Sequence, residues 1–154
     1  MSNPFMARAI QLSIDNVSRG GGPFGAVIVK NDEIVAEGFN RVTETNDATA
    51  HAEVVAIREA CAKLATFELK GCEIYSSCEP CPMCLGAIYW AHIDRIFFAA
   101  IADDASKIGF SDSHIYDEVR QPILQRSIPT TQMMRDEALA AFRAWNEKPD
   151  RTVY

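Results

Sequence analysis

Two short motifs in the chain contain residue types that bind metals and move protons. His51 and Glu53 belong to a His-Ala-Glu triplet. Cys81 and Cys84 belong to the sequence Pro-Cys-Pro-Met-Cys. Cysteines three residues apart on a helix have Cβ atoms about 5 to 6 Å apart, so both sulfurs can reach one zinc ion. His51 adds a third ligand, which leaves a fourth tetrahedral position open to water, as in catalytic zinc sites. The motifs therefore predict one catalytic zinc ion per chain, held by His51, Cys81 and Cys84.

The carboxylate of Glu53 is the predicted proton carrier. Zinc lowers the pKa of a bound water from 15.7 to about 7. A nearby carboxylate can take the proton of that water and deliver it to a ring nitrogen and to a leaving amine. Residues i and i+2 point to nearly opposite sides of a helix, so helix geometry alone does not bring His51 and Glu53 together. A position in the first turn favours their meeting, because side chains there project past the helix end.

A third cysteine leaves a second metal site open. Cys78, Cys81 and Cys84 form two overlapping Cys-x-x-Cys spacings. With His51 they would make a closed structural zinc site, in which the acidic residue of the first motif has no function. Glu79, beside this cluster, has two interpretations. It is either a second catalytic acid or a structural carboxylate that accepts backbone N–H groups.

The elements that must position these motifs alternate between helix and strand. Apolar periodicity predicts helices over residues 5–17, 50–65, 82–91 and 136–145, with Thr49 as the N-cap of the second. Short apolar runs predict strands over residues 26–29, 34–39, 72–77 and 95–100. This alternation is typical of the α/β class and predicts a three-layer α/β/α sandwich. No linker divides the chain, so a single domain over residues 1–154 is expected.

Composition excludes several classes of protein. The 154 residues carry 15 basic and 21 acidic side chains, and the net charge of −6 opposes non-specific nucleic-acid binding. Five cysteines make an odd count, which does not suit a complete disulfide framework. The N-terminus lacks the regions of a signal peptide, and the longest apolar run is far below the roughly 18 to 20 residues of a membrane span. A cytoplasmic protein without membrane contact is expected.

On its two motifs the chain resembles the cytidine deaminase superfamily of zinc nucleobase deaminases. The segments GGPFGAVIVK, NDATAHAEVVAIR, SSCEPCPMCLGAIYWA and GFSDSHIY are similar to bacterial guanine deaminases. This resemblance implies a mixed sheet of five strands and the hydrolysis of guanine to xanthine and ammonia. It also implies a homodimer in which the C-terminal segment, about residues 130–154, is exchanged between subunits.

The resemblance implies substrate roles for five further residues. Asn40 holds the purine, Phe24 lies beside it, and Asp112 reads the edge of the base. Trp90 lines the pocket, and Tyr154 closes it from the partner subunit. The residues themselves leave simpler roles open: Asn40 can complete a turn, Phe24 can belong to the core, and Asp112 can cap a short helix.

Two other functions remain alternatives. A tRNA adenosine deaminase shares both motifs, but it needs a basic surface that follows the phosphates. The last third of the chain offers only basic residues scattered among acids, such as Arg135, Arg143, Lys148 and Arg151. A zinc-stabilised interaction module would need no Glu53. The expected partner is thus a small nucleobase rather than a nucleic acid.

Overall fold

The computed structural model describes residues 3–154. The chain divides into two compact units, Met1–Asp112 and Ser113–Tyr154. We call them the sheet unit and the helical unit, because the strands lie in the first and the second contains helices and turns. Within the described residues, no helix combines the length and the apolar character that crossing a membrane requires.

Four strands form one mixed sheet. They are β1 (Gly25–Lys30), β2 (Glu33–Phe39), β3 (Cys72–Cys78) and β4 (Arg95–Ala100), in the spatial order β2-β1-β3-β4. Strand β1 pairs antiparallel with β2 and β3, whereas β3 pairs parallel with β4. The prediction of a fifth strand is wrong, because the sheet of the described residues has four strands. After β4 the chain enters a helix, where Lys107 pairs with Asp103 and Asp104 at helical spacing, a charge pattern that favours helix over strand.

Helices connect and flank the strands. They are α1 (Pro4–Ser18), α2 (Val42–Thr45), α3 (Ala52–Leu64), α4 (Pro82–Trp90), α5 (Ala102–Lys107), α6 (Ser113–Arg120) and α7 (Arg135–Glu147), with a 3₁₀ turn at Ile123–Gln125. The four helices predicted from periodicity are α1, α3, α4 and α7, and their ends are within two residues of the prediction. The short helices α2, α5 and α6 escape prediction because they contain too few turns for a clear apolar stripe.

Helices pack on both faces of the sheet because β1 is apolar on both. One face packs on α1 through Ala9, Leu12, Val27, Val29 and Tyr75. The other packs on α3 and α4 through a larger cluster that includes Ala26, Ile28, Ala56, Ile74 and Ile88. Successive residues of β1 alternate between the two clusters, as the pleat of a strand requires. The result is one helical layer on each side of the sheet, as predicted.

A glycine in β2 sets how closely α3 approaches the sheet. A Cβ at Gly38 would overlap the backbone oxygen of Ala52 and would lie 2.6 Å from the backbone nitrogen of Ala56. No side chain fits in this space without moving the helix. Gly38 therefore fixes the depth of α3, whose N-terminal end carries His51 and Glu53.

Candidate metal centre and active site

Two helix N-termini carry the metal-binding motifs. His51 is the N-cap of α3, with φ −68° and ψ 156°, and Cys81 is the N-cap of α4, with φ −65° and ψ 168°. The prediction of Thr49 as the N-cap of α3 is wrong by two residues. Its hydroxyl donates instead to Asp47 Oδ1, at 2.7 Å, in the turn before the helix. Both N-caps have extended backbone, which leaves their side chains outside the helical turn.

The donor atoms of three predicted ligands form a triangle. Cys81 Sγ lies 3.5 Å from Cys84 Sγ, and His51 Nδ1 lies 3.5 Å from each sulfur. A tetrahedral zinc ion with bonds of about 2.0 Å to nitrogen and 2.3 Å to sulfur separates such donors by about 3.5 to 3.8 Å. The donor set and its spacing therefore fit zinc. Among the described residues, this is the one group of His, Cys, Asp and Glu side chains arranged to hold a metal.

Contacts within the triangle already favour a thiolate. The Cys84 thiol, together with the His51 ring, stabilises negative sulfur at Cys81 and lowers the pKa of Cys81 to about 4. The same contact with Cys81 raises the pKa of Cys84, and burial adds to this shift. Hydrogen bonding to Cys81 also raises the pKa of His51. A bound cation would stabilise the deprotonated form of both thiols, because a coordinating thiol loses its proton.

Glu53 is buried beside the triangle, with 6% of its surface exposed. Ser76 Oγ donates to Glu53 Oε1 at 3.0 Å, and Cys84 Sγ lies 3.4 Å from Oε2. Burial raises the pKa of Glu53, which suits a group that must both accept and release protons. His51 and Glu53 reach the same site although they are two residues apart on the chain. One side chain leaves the helix at its cap and the other comes from the first turn, and both reach Cys84.

Cys78 and Glu79 contact the segment that follows β4. Cys78 Sγ points to the carbonyl oxygen of Ile101 at 3.8 Å and does not belong to the donor group. Burial raises the pKa of Cys78 to about 11, so its thiol is neutral. This geometry favours the open three-ligand site over the closed four-ligand site. Glu79 Oε2 accepts the backbone N–H of Ala102 at 3.0 Å, the contact that its structural interpretation predicts.

The predicted purine residues Asn40 and Phe24 are joined through their backbones. The N–H of Asn40 donates to the carbonyl of Phe24 at 3.1 Å. Asn40 is buried, and its Oδ1 accepts the N–H of Val42 at 3.2 Å, so the amide also completes a turn. The Phe24 ring meets the Phe110 ring edge to face, with centroids 5.0 Å apart. Two of the proposed substrate contacts thus share one rigid framework.

The other predicted substrate residues lie in different parts of the chain. Burial raises the pKa of Asp112, and the negative charges of Cys81 and Glu79 add to the shift. Trp90 ends α4, about 9 Å along the helix axis from Cys84, and is 68% exposed. Tyr154 ends the helical unit and is 70% exposed. The substrate roles of these three residues stay predictions.

The sequence model described as the cytidine and deoxycytidylate deaminase zinc-binding region matches residues 2–100. The chain belongs to this family. It is 52% identical over 151 residues to the guanine deaminase of Bacillus subtilis, a match that covers 97% of each chain. A crystal structure of guanine deaminase from Bacillus subtilis superimposes with a TM-score of 0.96 at 51% identity, covering 100% of this chain and 99% of the other.

Relatives with a different activity match a shorter part of this deaminase. The tRNA-specific adenosine deaminase of Aquifex aeolicus is 42% identical over 97 residues, which is 63% of this chain and 64% of the relative. The match to the Bacillus subtilis enzyme covers 97% of the chain, whereas the match to the Aquifex aeolicus enzyme leaves about a third of the chain unmatched. Membership in the family identifies zinc as the metal of the His-Cys-Cys site.

Three residues around the deaminase site escape the sequence analysis. Ser76 orients Glu53 from β3, and its signal is a polar residue between the buried Ile74 and Cys78 on one face of a strand. Asn16 connects α1 to the loop before β1, as described below. Phe110 packs on Phe24 from a segment without periodicity, and no pattern in the sequence indicates that contact.

Proposed function

We propose that the chain is a zinc-dependent guanine deaminase that converts guanine and water into xanthine and ammonia. The observation that carries the chemistry is the buried carboxyl of Glu53 within 3.4 Å of a donor triangle that fits zinc. A structural zinc site has no use for such a carboxyl. The substrate is supported by the 52% identity to a guanine deaminase over 97% of the chain.

His51, Cys81 and Cys84 hold the metal. When bound, zinc supplies a Lewis acid that makes water a nucleophile near neutral pH and stabilises developing negative charge. The remaining protein chemistry belongs to Glu53. It accepts one proton from the attacking water as the water oxygen bonds to C2 of guanine, and it returns that proton to a ring nitrogen. It then carries the remaining hydroxyl proton to the amine, so that the C2–N bond breaks, ammonia leaves and the C2 carbonyl of xanthine forms. Its raised pKa keeps the carboxyl able to perform both transfers.

Phe24, Asn40 and Asp112 are the proposed contacts of the base. Guanine presents a ring N–H and an exocyclic amine on one edge, and a carboxylate such as Asp112 accepts from these donors. The amide of Asn40 offers both donor and acceptor groups, and the Phe24 ring offers a face for stacking. Glu79 is proposed to keep the segment that ends in Asp112 next to the metal loop, through its hydrogen bond with Ala102.

The charge distribution favours a free base over tRNA. The net charge is −6, which opposes binding to the phosphates of a nucleic acid. In the helical unit, three of the six basic side chains pair with acids: Arg120 with Asp117, Arg135 with Asp136 and Lys148 with Asp150. This function belongs to guanine catabolism. The five cysteines are free thiols, which supports a reducing compartment such as the cytoplasm.

The helical unit supports a homodimer with an exchanged C-terminal segment. Most of its large apolar side chains are at least 43% exposed, and these are Ile115, Val119, Ile123, Leu124, Ile128, Met133, Met134, Phe142, Trp145, Val153 and Tyr154. Monomeric proteins rarely leave so many apolar side chains in water. We expect residues 130–154 to pack on a second copy of the chain and to bring Tyr154 to its purine pocket.

A comparison of substrates tests the proposed function. The purified zinc-loaded protein is incubated with guanine, cytosine, adenosine and tRNA, and the release of ammonia is measured for each. We expect rapid release from guanine, accompanied by the absorbance change of xanthine formation. Release from tRNA with none from guanine would replace this function with tRNA editing. Release from none of the four would favour a non-catalytic zinc module.

A further inference from the structure

Asn16 is a buried polar side chain near the C-terminal end of α1 that the proposed mechanism does not use. It is only 4% exposed. Its Nδ2 donates two hydrogen bonds of 2.8 Å, one to the carbonyl of Gly22 and one to the carbonyl of Asn40. These acceptors are 6 and 24 residues away in sequence. The amide thus connects α1 to two separate segments of the sheet unit.

Both segments lead directly to the proposed purine contacts. The carbonyl of Gly22 also accepts the N–H of Phe24 at 2.9 Å, and the carbonyl of Phe24 accepts the N–H of Asn40 at 3.1 Å. Asn16 closes this network, because its single amide group holds the two outer carbonyls. Loss of the amide would leave two carbonyl oxygens without these donors and would release both backbones.

The loop is built around the Asn16 amide. Gly21 passes directly over it, and a Cβ at Gly21 would overlap the Asn16 side chain. The backbone carbonyl of Asn16 accepts the N–H groups of Arg19 and Gly21, at 3.1 and 2.9 Å, which ends the helix. The backbone carbonyl of Asn16 therefore caps the end of α1, whereas its side chain binds the carbonyls of Gly22 and Asn40.

We propose that Asn16 is a positioning residue of the purine pocket, which it shapes by fixing the backbones of Phe24 and Asn40. The proposal rests on the proposed guanine deaminase function and adds a positioning role for a residue outside the metal-binding group. A displaced pocket wall weakens the binding of the base in the ground state and in the transition state alike, so the effect falls mainly on KM. The zinc ligands and Glu53 keep their arrangement.

The first experiment compares Asn16→Ala with Ser13→Ala. Ser13 is a matched control, because it is also buried on α1 but its hydroxyl donates to Ile10 O within the same helix. We expect Asn16→Ala to raise KM for guanine by about tenfold to 100-fold, as small misplacements in a site do. The kcat changes much less, and zinc content stays at the wild-type level. Ser13→Ala leaves KM unchanged.

The second experiment breaks the same contact from the loop side and does not depend on a cavity in the helix layer. Gly21→Ala forces the Asn16 amide aside, so it raises KM in the wild-type background. In the Asn16→Ala background the overlapping atoms are gone, and the added methyl has no further effect. This non-additivity is the signature of one shared interaction. Independent, additive effects of the two substitutions would overturn the proposal.

The outcomes separate this inference from the function on which it rests. If the wild-type protein does not release ammonia from guanine, the proposed function fails. If the wild type is active and Asn16→Ala lowers only the melting temperature, with the KM of the folded enzyme unchanged, Asn16 is a structural residue. Tenfold or larger KM effects in Asn16→Ala and Gly21→Ala, with full zinc content, support the positioning role.

Discussion

The two units of this deaminase differ in where their apolar side chains lie. Among the described residues, every buried residue lies between Ala9 and Ala91, inside the sheet unit. The helical unit contains no buried residue, although its helices carry Phe142 and Trp145. The sheet unit therefore holds its own core, and that core fixes the metal site. The helical unit has no core of its own, so its order and its role depend on what it packs against.

This difference separates two kinds of function. A catalytic site needs atoms held within about half an ångström, which side chains locked by a buried core provide. A segment with exposed apolar side chains suits assembly, because association removes that surface from water. We therefore expect the chemistry to depend on the sheet unit and the completion of the pocket to depend on a second chain.

The largest effect is expected from loss of a metal ligand in the sheet unit. Cys84→Ser removes one sulfur from the donor triangle, so zinc content and turnover should fall close to zero. The melting temperature should fall as well, because a ligand that binds only the native state stabilises it. Metal analysis, ammonia release and thermal unfolding measure these three quantities.

Cys78→Ser is the matched control for this substitution. Cys78 is also a buried cysteine of the same region, but its thiol has a pKa raised to about 11 and contacts the carbonyl of Ile101. We expect this variant to retain a full complement of zinc. Loss of zinc from Cys78→Ser would bring back the closed four-ligand site and would contradict the catalytic assignment.

The next effect is loss of proton transfer without loss of metal. Glu53→Gln keeps the size of the side chain but cannot accept a proton, so kcat should fall by about 10² to 10⁴, the usual contribution of a general acid or base. Zinc content should not change. Glu59→Gln, on the exposed side of α3, is the control and should keep wild-type kcat. Full activity of Glu53→Gln would favour a zinc-stabilised interaction module.

A smaller effect is expected from the helical unit, and it tests whether that unit acts across a dimer. Tyr154→Ala should lower kcat/KM for guanine by about tenfold, because the pocket loses one wall. Heterodimers with one Tyr154→Ala chain and one Glu53→Gln chain are then isolated by two affinity tags. If the segment is exchanged, one site has an intact Glu53 and an intact Tyr154.

Such a heterodimer should show about half of the wild-type activity per dimer, because one of its two symmetric sites is complete. If Tyr154 acts within its own chain, every site of the heterodimer carries one defect, and activity remains as low as in the parent variants. A monomer in sedimentation experiments would contradict the exchange itself.

The sequence predicted the positions of helices and strands better than the individual contacts between them, because positions follow from local pattern and contacts do not. The three long helices and four strands of the sheet unit have clear apolar patterns, as does α7 of the helical unit, and the structure confirms their positions. The three ligands are confirmed as one donor group: the spacing of Cys81 and Cys84 on one helix start is local, and the fold adds His51 from another helix start. The N-cap at His51 and the contact of Phe110 were not predictable, and the signal of Ser76, a polar residue on a buried strand face, does not name Glu53 as its partner. Each depends on elements brought together only by the fold.

The same reasoning explains the errors and the open points. The fifth strand came from resemblance alone, and the residues after β4 lack the alternation that a strand requires. The roles of Trp90 and Tyr154 share this origin, and both side chains are exposed; the dimer experiment tests the role of Tyr154. Apolar periodicity predicts where an element lies, α7 included, but it does not show whether the apolar face packs within its own chain or on a second copy.

The smallest expected difference concerns ion pairs in the two units. Arg8 of α1 and Glu37 of β2 form a two-pronged pair with N···O distances of 2.7 Å, and their side chains are 42% and 37% exposed. Arg120 and Asp117 in the helical unit are 75% and 73% exposed and 3.5 Å apart. Glu37→Gln should lower the free energy of unfolding by about 0.5 to 1 kcal/mol, because water screens even this pair. Asp117→Asn should have no measurable effect.

The hydrogen bond from Arg8 lowers the pKa of Glu37, which gives the pair a defined pH dependence. The pKa of Glu37 is lower in the folded state than the value of about 4.3 expected in the unfolded state. The pair therefore contributes its full stabilisation above about pH 5, where Glu37 is ionised in both states. It is lost as the pH falls through the folded-state pKa. The stability difference between wild type and Glu37→Gln, measured by urea unfolding, should therefore shrink below pH 4.3 and in high salt. A difference that is constant between pH 3 and pH 7 would show that Glu37 stabilises the sheet unit by packing rather than by its charge.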